Sequence, residues 1–181
     1  MNVLINFAAF QFGWFSSVIG AAQQTPWLGP LAFLVVLAIH LRQSSRPKSE
    51  LGLVIACGVI GIFFDSLLVA TGWVTYPSGL FSELMAPYWI VTMWMLFGTT
   101  LNLSMGWMKG KPFLAAMLGA VGGPSSYYAG QKLGGIQFLE FFPAMIALAI
   151  GWAVFMPLLM RLAERLDGAP EGVRLEEVRQ S

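Results

Sequence analysis

The first 41 residues contain no Lys, Arg, Asp or Glu, and this uncharged stretch constrains the fold more than any other feature. The same bias continues along the chain, because 57% of its 181 residues are hydrophobic and only 10% are charged. Soluble domains carry about 25% charged residues. Most of the protein surface therefore cannot face water, and we expect an integral membrane protein.

Several apolar segments approach the roughly 20 residues that a helix needs to cross a bilayer. They cover residues 3–22, 26–41, 51–72, 84–105, 112–130 and 137–160. The second segment is the shortest, and a re-entrant or tilted helix is an alternative there. We predict an all-α fold, a polytopic bundle of about six transmembrane helices. It forms a single domain over residues 1–162, followed by a flexible cytoplasmic tail over residues 163–181.

The basic residues predict the orientation of the bundle. Lys and Arg are enriched in the cytoplasmic loops of membrane proteins. On the predicted topology, nine of the ten basic residues lie on one side, and only Lys132 lies on the other. The nine are Arg42, Arg46, Lys48, Lys109, Lys111, Arg161, Arg165, Arg174 and Arg179. We therefore expect both chain ends in the cytoplasm.

Asp65 is the most informative polar residue, because it falls inside the third apolar segment. A carboxylate at the centre of a membrane helix costs at least about 2.5–3.5 kcal/mol on insertion scales, so it is a functional hypothesis by default. The alternative is a structural role, in which a hydrogen-bonded Asp65 holds two helices together. Both interpretations stay open from the sequence.

Other polar residues share the predicted depth of Asp65, on the non-cytoplasmic side. Pro124 follows Gly122 and Gly123 and should break or kink the fifth helix, which frees backbone groups that need partners. We therefore predict a polar pocket open toward the outer leaflet. Its candidate residues are Asp65, Ser66, Ser125, Ser126, Tyr127, Tyr128 and Glu140.

Close packing and polar contacts hold helices together in lipid. Ala115, Gly119 and Gly123 recur every four residues and predict a tight helix contact. We assign Asn6, Thr99 and Asn102 to intramembrane polar packing. The single histidine, His40, ends the second segment, where we expect it to be solvated at the interface.

Several chemistries are excluded by the residue counts. One Cys and one His supply too few ligands for a thiolate cluster, a di-iron site or a zinc protease site. There is no Gly-rich phosphate loop, and no basic cluster is dense enough to bind nucleic acid. We therefore predict no metal and no cofactor.

Four motifs carry a resemblance to a known family: FQFGWF at residues 10–15, FFDSLL at 63–68, TTLNLSMGW at 99–107 and GAVGGPSSYYAG at 119–130. In this order and spacing they resemble the family catalogued as domain of unknown function 2878, over the chain to about Leu162. The resemblance implies a multi-pass protein of the bacterial cytoplasmic (inner) membrane. It also implies that the genes of this family neighbour genes for enzymes that modify the fatty-acyl chains of membrane lipids. The family has no established activity, so it assigns no catalytic residue.

We expect a non-enzymatic component that binds lipid or a partner protein, linked to fatty-acyl modification or envelope maintenance. Its partners would be membrane lipids and, through the resemblance, a membrane-associated lipid-modifying enzyme. Two alternatives stay open. One is a small permease or flippase-like carrier that uses the Asp65 pocket. The other is a cofactor-free intramembrane enzyme with Asp65 and a tyrosine as acid and base.

Overall fold

The computed structural model describes residues 2–168, and within them the chain forms six α-helices and two short β-strands. The predicted all-α helical bundle is confirmed. The elements are α1 (Val3–Ala22), α2 (Leu28–Gln43), α3 (Pro47–Ala70), β1 (Val74–Thr75), α4 (Tyr88–Gly98), α5 (Pro112–Lys132), β2 (Gln137–Phe138) and α6 (Phe141–Arg165). Two helices, α3 and α5, begin with proline, whose missing N–H is not needed in the first helical turn.

Three of these helices, α1, α3 and α6, are long and apolar enough to cross a membrane. Helices α2 and α4 are also apolar but shorter, with 16 and 11 residues. Large hydrophobic side chains are exposed along the bundle, as in Phe63, Phe142 and Val121. A lipid environment accounts for such exposure. The chain thus has the character of a membrane protein, whereas crossing by all six helices remains a prediction.

The helices pack through small residues at their points of closest approach. A Cβ atom added at Gly119 of α5 would collide with the Trp152 carbonyl oxygen of α6, and one at Gly123 would overlap the Trp152 ring. The predicted tight contact is therefore confirmed, and it joins α5 to α6. Helix α3 meets α4 in the same way, with Gly61 against the Trp94 ring. Side chains any larger would hold the helix backbones apart.

The fourth predicted span, residues 84–105, is wrong in extent. Helix α4 ends at Gly98, and residues 99–105 form a series of tight turns, which we call the unwound segment. Thr99 and Thr100 donate their hydroxyl hydrogens to the carbonyl oxygens of Leu96 and Phe97. Such bonds give the backbone an alternative to the helix. The unwound segment is largely buried, which keeps its irregular backbone away from lipid.

Helix α5 runs without a break through Pro124, so of the predicted break or kink the break is wrong. Proline is tolerated inside membrane helices where neighbouring groups support the backbone. Pro124 is buried, and the adjacent Ser125 donates its hydroxyl to the Val121 carbonyl at 2.7 Å. The packing against α6 thus keeps the helix continuous where the sequence suggested an interruption.

The two ends of the bundle differ. At one end, β1 and β2 pair antiparallel, with Val74 opposite Phe138, and join the α3–α4 connection to the α5–α6 connection. We call this the strand end. At the opposite, terminal end, α1 begins and α6 ends. Helix α6 continues to Arg165, and Gly168 is hydrogen-bonded to the bundle, while residues 169–181 of the predicted tail lie outside the described residues.

Candidate functional site

Asp65 of α3 is completely buried and accepts hydrogen bonds from three side chains. Tyr76 donates its hydroxyl to Oδ1 at 2.6 Å, and the Trp94 indole N–H donates to Oδ2 at 2.7 Å. The Tyr127 hydroxyl lies 2.9 Å from both carboxylate oxygens. We call these four residues the Asp65 cluster. It joins α3, α4, α5 and the connection after β1.

The donors of the Asp65 cluster are all uncharged, and no described residue forms an ion pair with Asp65. A buried carboxylate is stabilised when hydrogen bonds to its charged form replace those of water. Burial, and then the charge of Asp65, raise the pKa of the Tyr76 hydroxyl well above its ordinary value. Tyr76, which lies outside the helices, therefore stays protonated and donates to the carboxylate.

The predicted polar pocket is not assembled as one site, because only Tyr127 among its candidates contacts Asp65. The hydroxyl of Ser66 accepts from the Ala86 backbone N–H, and Ser126 accepts from Trp14 on α1. Tyr128 lies on the surface, with the Lys132 ammonium 5.1 Å from its ring centroid. Ser125 and Glu140 are exposed. Successive residues of a helix point about 100° apart, so shared depth does not bring side chains together.

Two members of the Asp65 cluster, Tyr76 and Trp94, were not among the predicted site residues. Aromatic residues with a polar tip usually find a hydrogen-bond partner when they are buried. From that rule, one could have predicted from the sequence that an intramembrane carboxylate is hydrogen-bonded by tyrosine or tryptophan side chains. The sequence does not say which of its tyrosines and tryptophans reach Asp65, because that depends on how α3, α4 and α5 are packed.

A cleft of about 430 Å³ lies beside the Asp65 cluster. Trp94 and Tyr127 form part of its wall, so the same two side chains contact both Asp65 and the cleft. Its lining consists of Phe7, Phe10, Trp14, Ile90, Met93, Trp94, Phe97, Ser104, Met105, Trp107, Met108, Leu118, Gly122, Gly123, Ser126, Tyr127, Trp152 and Met156. The volume falls within the roughly 300–1,000 Å³ of ligand pockets.

The cleft opens between α1 and α5. Four of its lining residues are exposed: Phe7 of α1, Trp107 of the short 3-10 helix Gly106–Met108, and Leu118 and Gly122 of α5. A Cβ atom added at Gly122 would meet no other atom within 4 Å, so the space beside this glycine is empty. The cleft is thus accessible from the side of the bundle, where a membrane helix faces lipid.

Few polar groups face the cleft. The Trp14 indole N–H donates to the Ser126 hydroxyl oxygen at 3.1 Å, and this bond ties α1 to α5 across the cleft. Among the described residues, Ser126 donates its own hydroxyl hydrogen to no partner. Trp152 stacks on Trp94, with ring centroids 4.5 Å apart, and its buried Nε1 has no hydrogen-bond partner within residues 2–168.

The residues predicted for intramembrane polar packing lie toward the terminal end. Asn6 of α1 donates to the Thr99 carbonyl oxygen at 3.0 Å and accepts from the backbone N–H and hydroxyl of Ser104. One asparagine side chain thereby satisfies backbone groups at both ends of the unwound segment. Asn6 and Thr99 are both fully buried. This interaction replaces the helical bonds that residues 99–105 do not form.

Asn102 belongs to a second buried cluster, which the sequence analysis did not foresee. Its side-chain amide donates to Glu50 Oε1 at 2.9 Å, and His40 Nε2 lies 3.0 Å from Glu50 Oε2. The Gly168 backbone N–H also donates to Oε1, at 2.8 Å. His40 is only 4% exposed, so the expectation of a solvated histidine is wrong. We call His40, Glu50, Asn102 and Gly168 the Glu50 cluster.

Neither cluster has the composition of a metal centre. Within residues 2–168, no group of three or more His, Cys, Asp or Glu side chains could hold a metal ion. The Asp65 cluster has one carboxylate, and both of its oxygens already accept hydrogen bonds. The geometry can therefore hold helices together and shape the wall of the cleft.

Comparison with known protein families supports the resemblance found from the motifs. The family described as "Protein of unknown function (DUF2878)" matches residues 3–158, which include Asp65, Ser126 and all the residues that line the cleft. Neither the curated proteins nor the solved structures gave a match.

Proposed function

We propose that this chain, which belongs to the DUF2878 family, is a membrane component that binds the apolar chain of a membrane lipid in the cleft between α1 and α5. The observation that carries the proposal is a side opening that leads into an apolar space of about 430 Å³. Ligand sites are concave and mostly apolar, with a few polar groups that fix orientation. A lipid chain can enter this cleft laterally, without leaving the hydrocarbon layer.

The surroundings of Asp65 favour binding over the two alternatives, a carrier and an acid–base enzyme. The carboxylate has no exposed surface, and three donors occupy its oxygens. A carrier or catalytic group has to exchange a proton or contact its substrate. Asp65 instead orients Trp94 and Tyr127, which form the wall of the cleft. Its role in this proposal is to position two binding residues.

We further propose that all six helices cross a bacterial cytoplasmic membrane, with the terminal end in the cytoplasm. Among the described residues, the helix ends and loops at the terminal end contain Arg42, Arg46, Lys48, Lys109, Lys111, Arg161 and Arg165, against Lys132 at the strand end. This distribution supports the orientation. A link to fatty-acyl modification or envelope maintenance, through a partner enzyme, is part of the proposal and rests on the family resemblance.

Filling the cleft tests the lipid-binding proposal directly. Gly122→Phe places a ring in the empty space beside α5, and replacing a helical glycine also favours the helix. Val121→Phe is the matched control, because Val121 is 68% exposed and does not line the cleft. Each protein is purified in mild detergent, and its bound lipid is counted by native mass spectrometry. We expect wild type and Val121→Phe to retain lipid and Gly122→Phe to lose it.

Retention of the same lipid by a well-folded Gly122→Phe protein would contradict binding in the cleft.

The orientation is tested separately with a reporter that fluoresces only in the cytoplasm. A fusion after Ser181 should fluoresce, and an insertion at Gly79, in the α3–α4 connection, should not. Fluorescence from the Gly79 insertion would reverse the proposed orientation.

A further inference from the structure

We infer that the lipid held in the cleft is an isoprenoid quinone, a flat ring with carbonyl oxygens and an unsaturated apolar tail. The inference rests on the proposed lipid-binding function and names the class of lipid. Three observations lead to it: the chemistry of the walls, a donor that lacks an acceptor, and the length of the cleft.

The walls of the cleft are aromatic rings and methionine side chains rather than branched aliphatic ones. Eight of the lining residues are aromatic and four are methionines, whereas Ile90 and Leu118 are its only branched aliphatic residues. Among them, Trp94 and Trp152 stack on each other, and Phe97 lies perpendicular to Trp152. Aromatic faces and polarisable sulfurs interact favourably with another π system. A saturated acyl chain has no π system to take part in such contacts.

The cleft contains a hydrogen-bond donor that lacks an acceptor. The Ser126 hydroxyl oxygen accepts from Trp14, and its hydrogen has no acceptor among the described residues. An unsatisfied polar group in hydrocarbon is costly. A quinone carbonyl accepts hydrogen bonds and donates none, so it complements this end of the cleft. The hydrocarbon part of a phospholipid chain offers no acceptor.

The cleft is longer than a single ring. Along α5 it extends from Ser126 to Leu118, and along α1 from Trp14 to Phe7, which is on the order of 10 Å at 1.5 Å per residue. The Ser126 hydroxyl lies at one end of the cleft. The exposed lining residues Phe7, Leu118 and Trp107 lie toward the terminal end, together with Ser104, whose hydroxyl already donates to Asn6. The ring would therefore lie near Ser126, with the tail leaving through the side opening.

The test compares two probes with the same decyl tail, one attached to a benzoquinone and the other to benzene. Binding to purified full-length protein is measured by native mass spectrometry, and quinone affinity by quenching of tryptophan fluorescence. We expect the quinone to bind more tightly than the benzene. Ser126→Ala should weaken quinone binding about five- to tenfold, the effect of one lost neutral hydrogen bond. Binding of the benzene probe should not change.

Ser125→Ala is the matched control, because Ser125 is exposed and, within residues 2–168, its hydroxyl bonds only to the Val121 carbonyl oxygen. Ser126→Thr retains a hydroxyl and should bind the quinone with wild-type affinity. That result would exclude a folding defect as the cause of the weaker binding in Ser126→Ala. Equal affinity for both probes, or a well-folded Ser126→Ala protein with wild-type quinone affinity, would overturn the inference. A protein that holds phospholipid but no quinone would also overturn it and leave lipid binding intact. Loss of lipid binding itself is detected by the Gly122→Phe experiment.

Discussion

Asp65 and Glu50 are both buried acidic residues of α3, yet their partners differ. Asp65 is surrounded by the polar tips of Tyr76, Trp94 and Tyr127, all from side chains. Glu50 contacts His40, the Asn102 amide and a backbone N–H at Gly168. The first cluster fixes the wall of the cleft through rigid aromatic rings. The second fastens the chain that follows α6 to the bundle.

A buried carboxylate is thus hydrogen-bonded by whatever donors lie at its depth in the bundle. Asp65 lies well within α3, where the apolar sequence supplies aromatic donors that pack and bond at once. Glu50 lies in the first turn of α3, within reach of connections and chain ends, so backbone groups can reach it. Three substitutions should distinguish the structural role of the Asp65 cluster from that of the Glu50 cluster.

The largest effect should come from Asp65→Leu. This change leaves three buried donors without an acceptor, and each unsatisfied donor costs about 1–3 kcal/mol. We therefore expect the unfolding free energy to fall by more than about 3 kcal/mol. Asp65→Asn keeps one acceptor oxygen and should lose less. Unfolding in detergent by circular dichroism gives the measurement, with the lipid-facing Phe63→Leu as control. Wild-type stability of Asp65→Leu would show that the hydrogen bonds of the Asp65 cluster do not hold the fold.

A smaller effect is expected for Glu50→Leu, at about 2 kcal/mol. His40 loses its carboxylate partner, but the Asn102 amide also reaches the Leu166 carbonyl oxygen at 3.5 Å. The Gly168 N–H lies near the terminal end and can be hydrated once released. The end of α6 should then loosen, so trypsin should cleave after Arg165 faster than in wild type. Lys48→Leu, at an exposed position of the same helix, is the control. An unchanged cleavage rate at Arg165 would show that Glu50 does not fix the end of α6 to the bundle.

The smallest expected effect is that of Gly168→Ala, about 1 kcal/mol, which is the cost of mild overpacking. An added Cβ would lie 2.6 Å from Glu50 Cγ and 2.7 Å from the Ser44 hydroxyl. The variant should raise the trypsin cleavage rate at Arg165 while leaving the Asp65 cluster and lipid retention unchanged. Reduced lipid retention in Gly168→Ala would mean that the two clusters are coupled, contrary to this comparison.

The sequence predicted the Asp65 site only partly. Asp65 was found because a carboxylate inside an apolar run is conspicuous, and Tyr127 because it shares that depth. Glu50 was missed because it closes the charged run that begins at Arg42, where an acidic residue looks solvated. Burial of Glu50 depends on α2, the unwound segment and the end of α6 meeting around it. Such long-range contacts leave no local pattern in the sequence.

Composition and periodicity by themselves determined that this chain is a helical membrane protein whose helices meet through small residues. Hydrophobic length and residue volume are local properties, and they can be read along the chain. Three features follow from long-range packing instead: α4 stops at Gly98, α5 continues through Pro124, and α1 and α5 leave a cleft between them. The reason is that each outcome depends on which groups neighbouring helices supply. Asn6 satisfies the unwound segment, α6 packs against α5, and the Trp14–Ser126 bond spans the cleft.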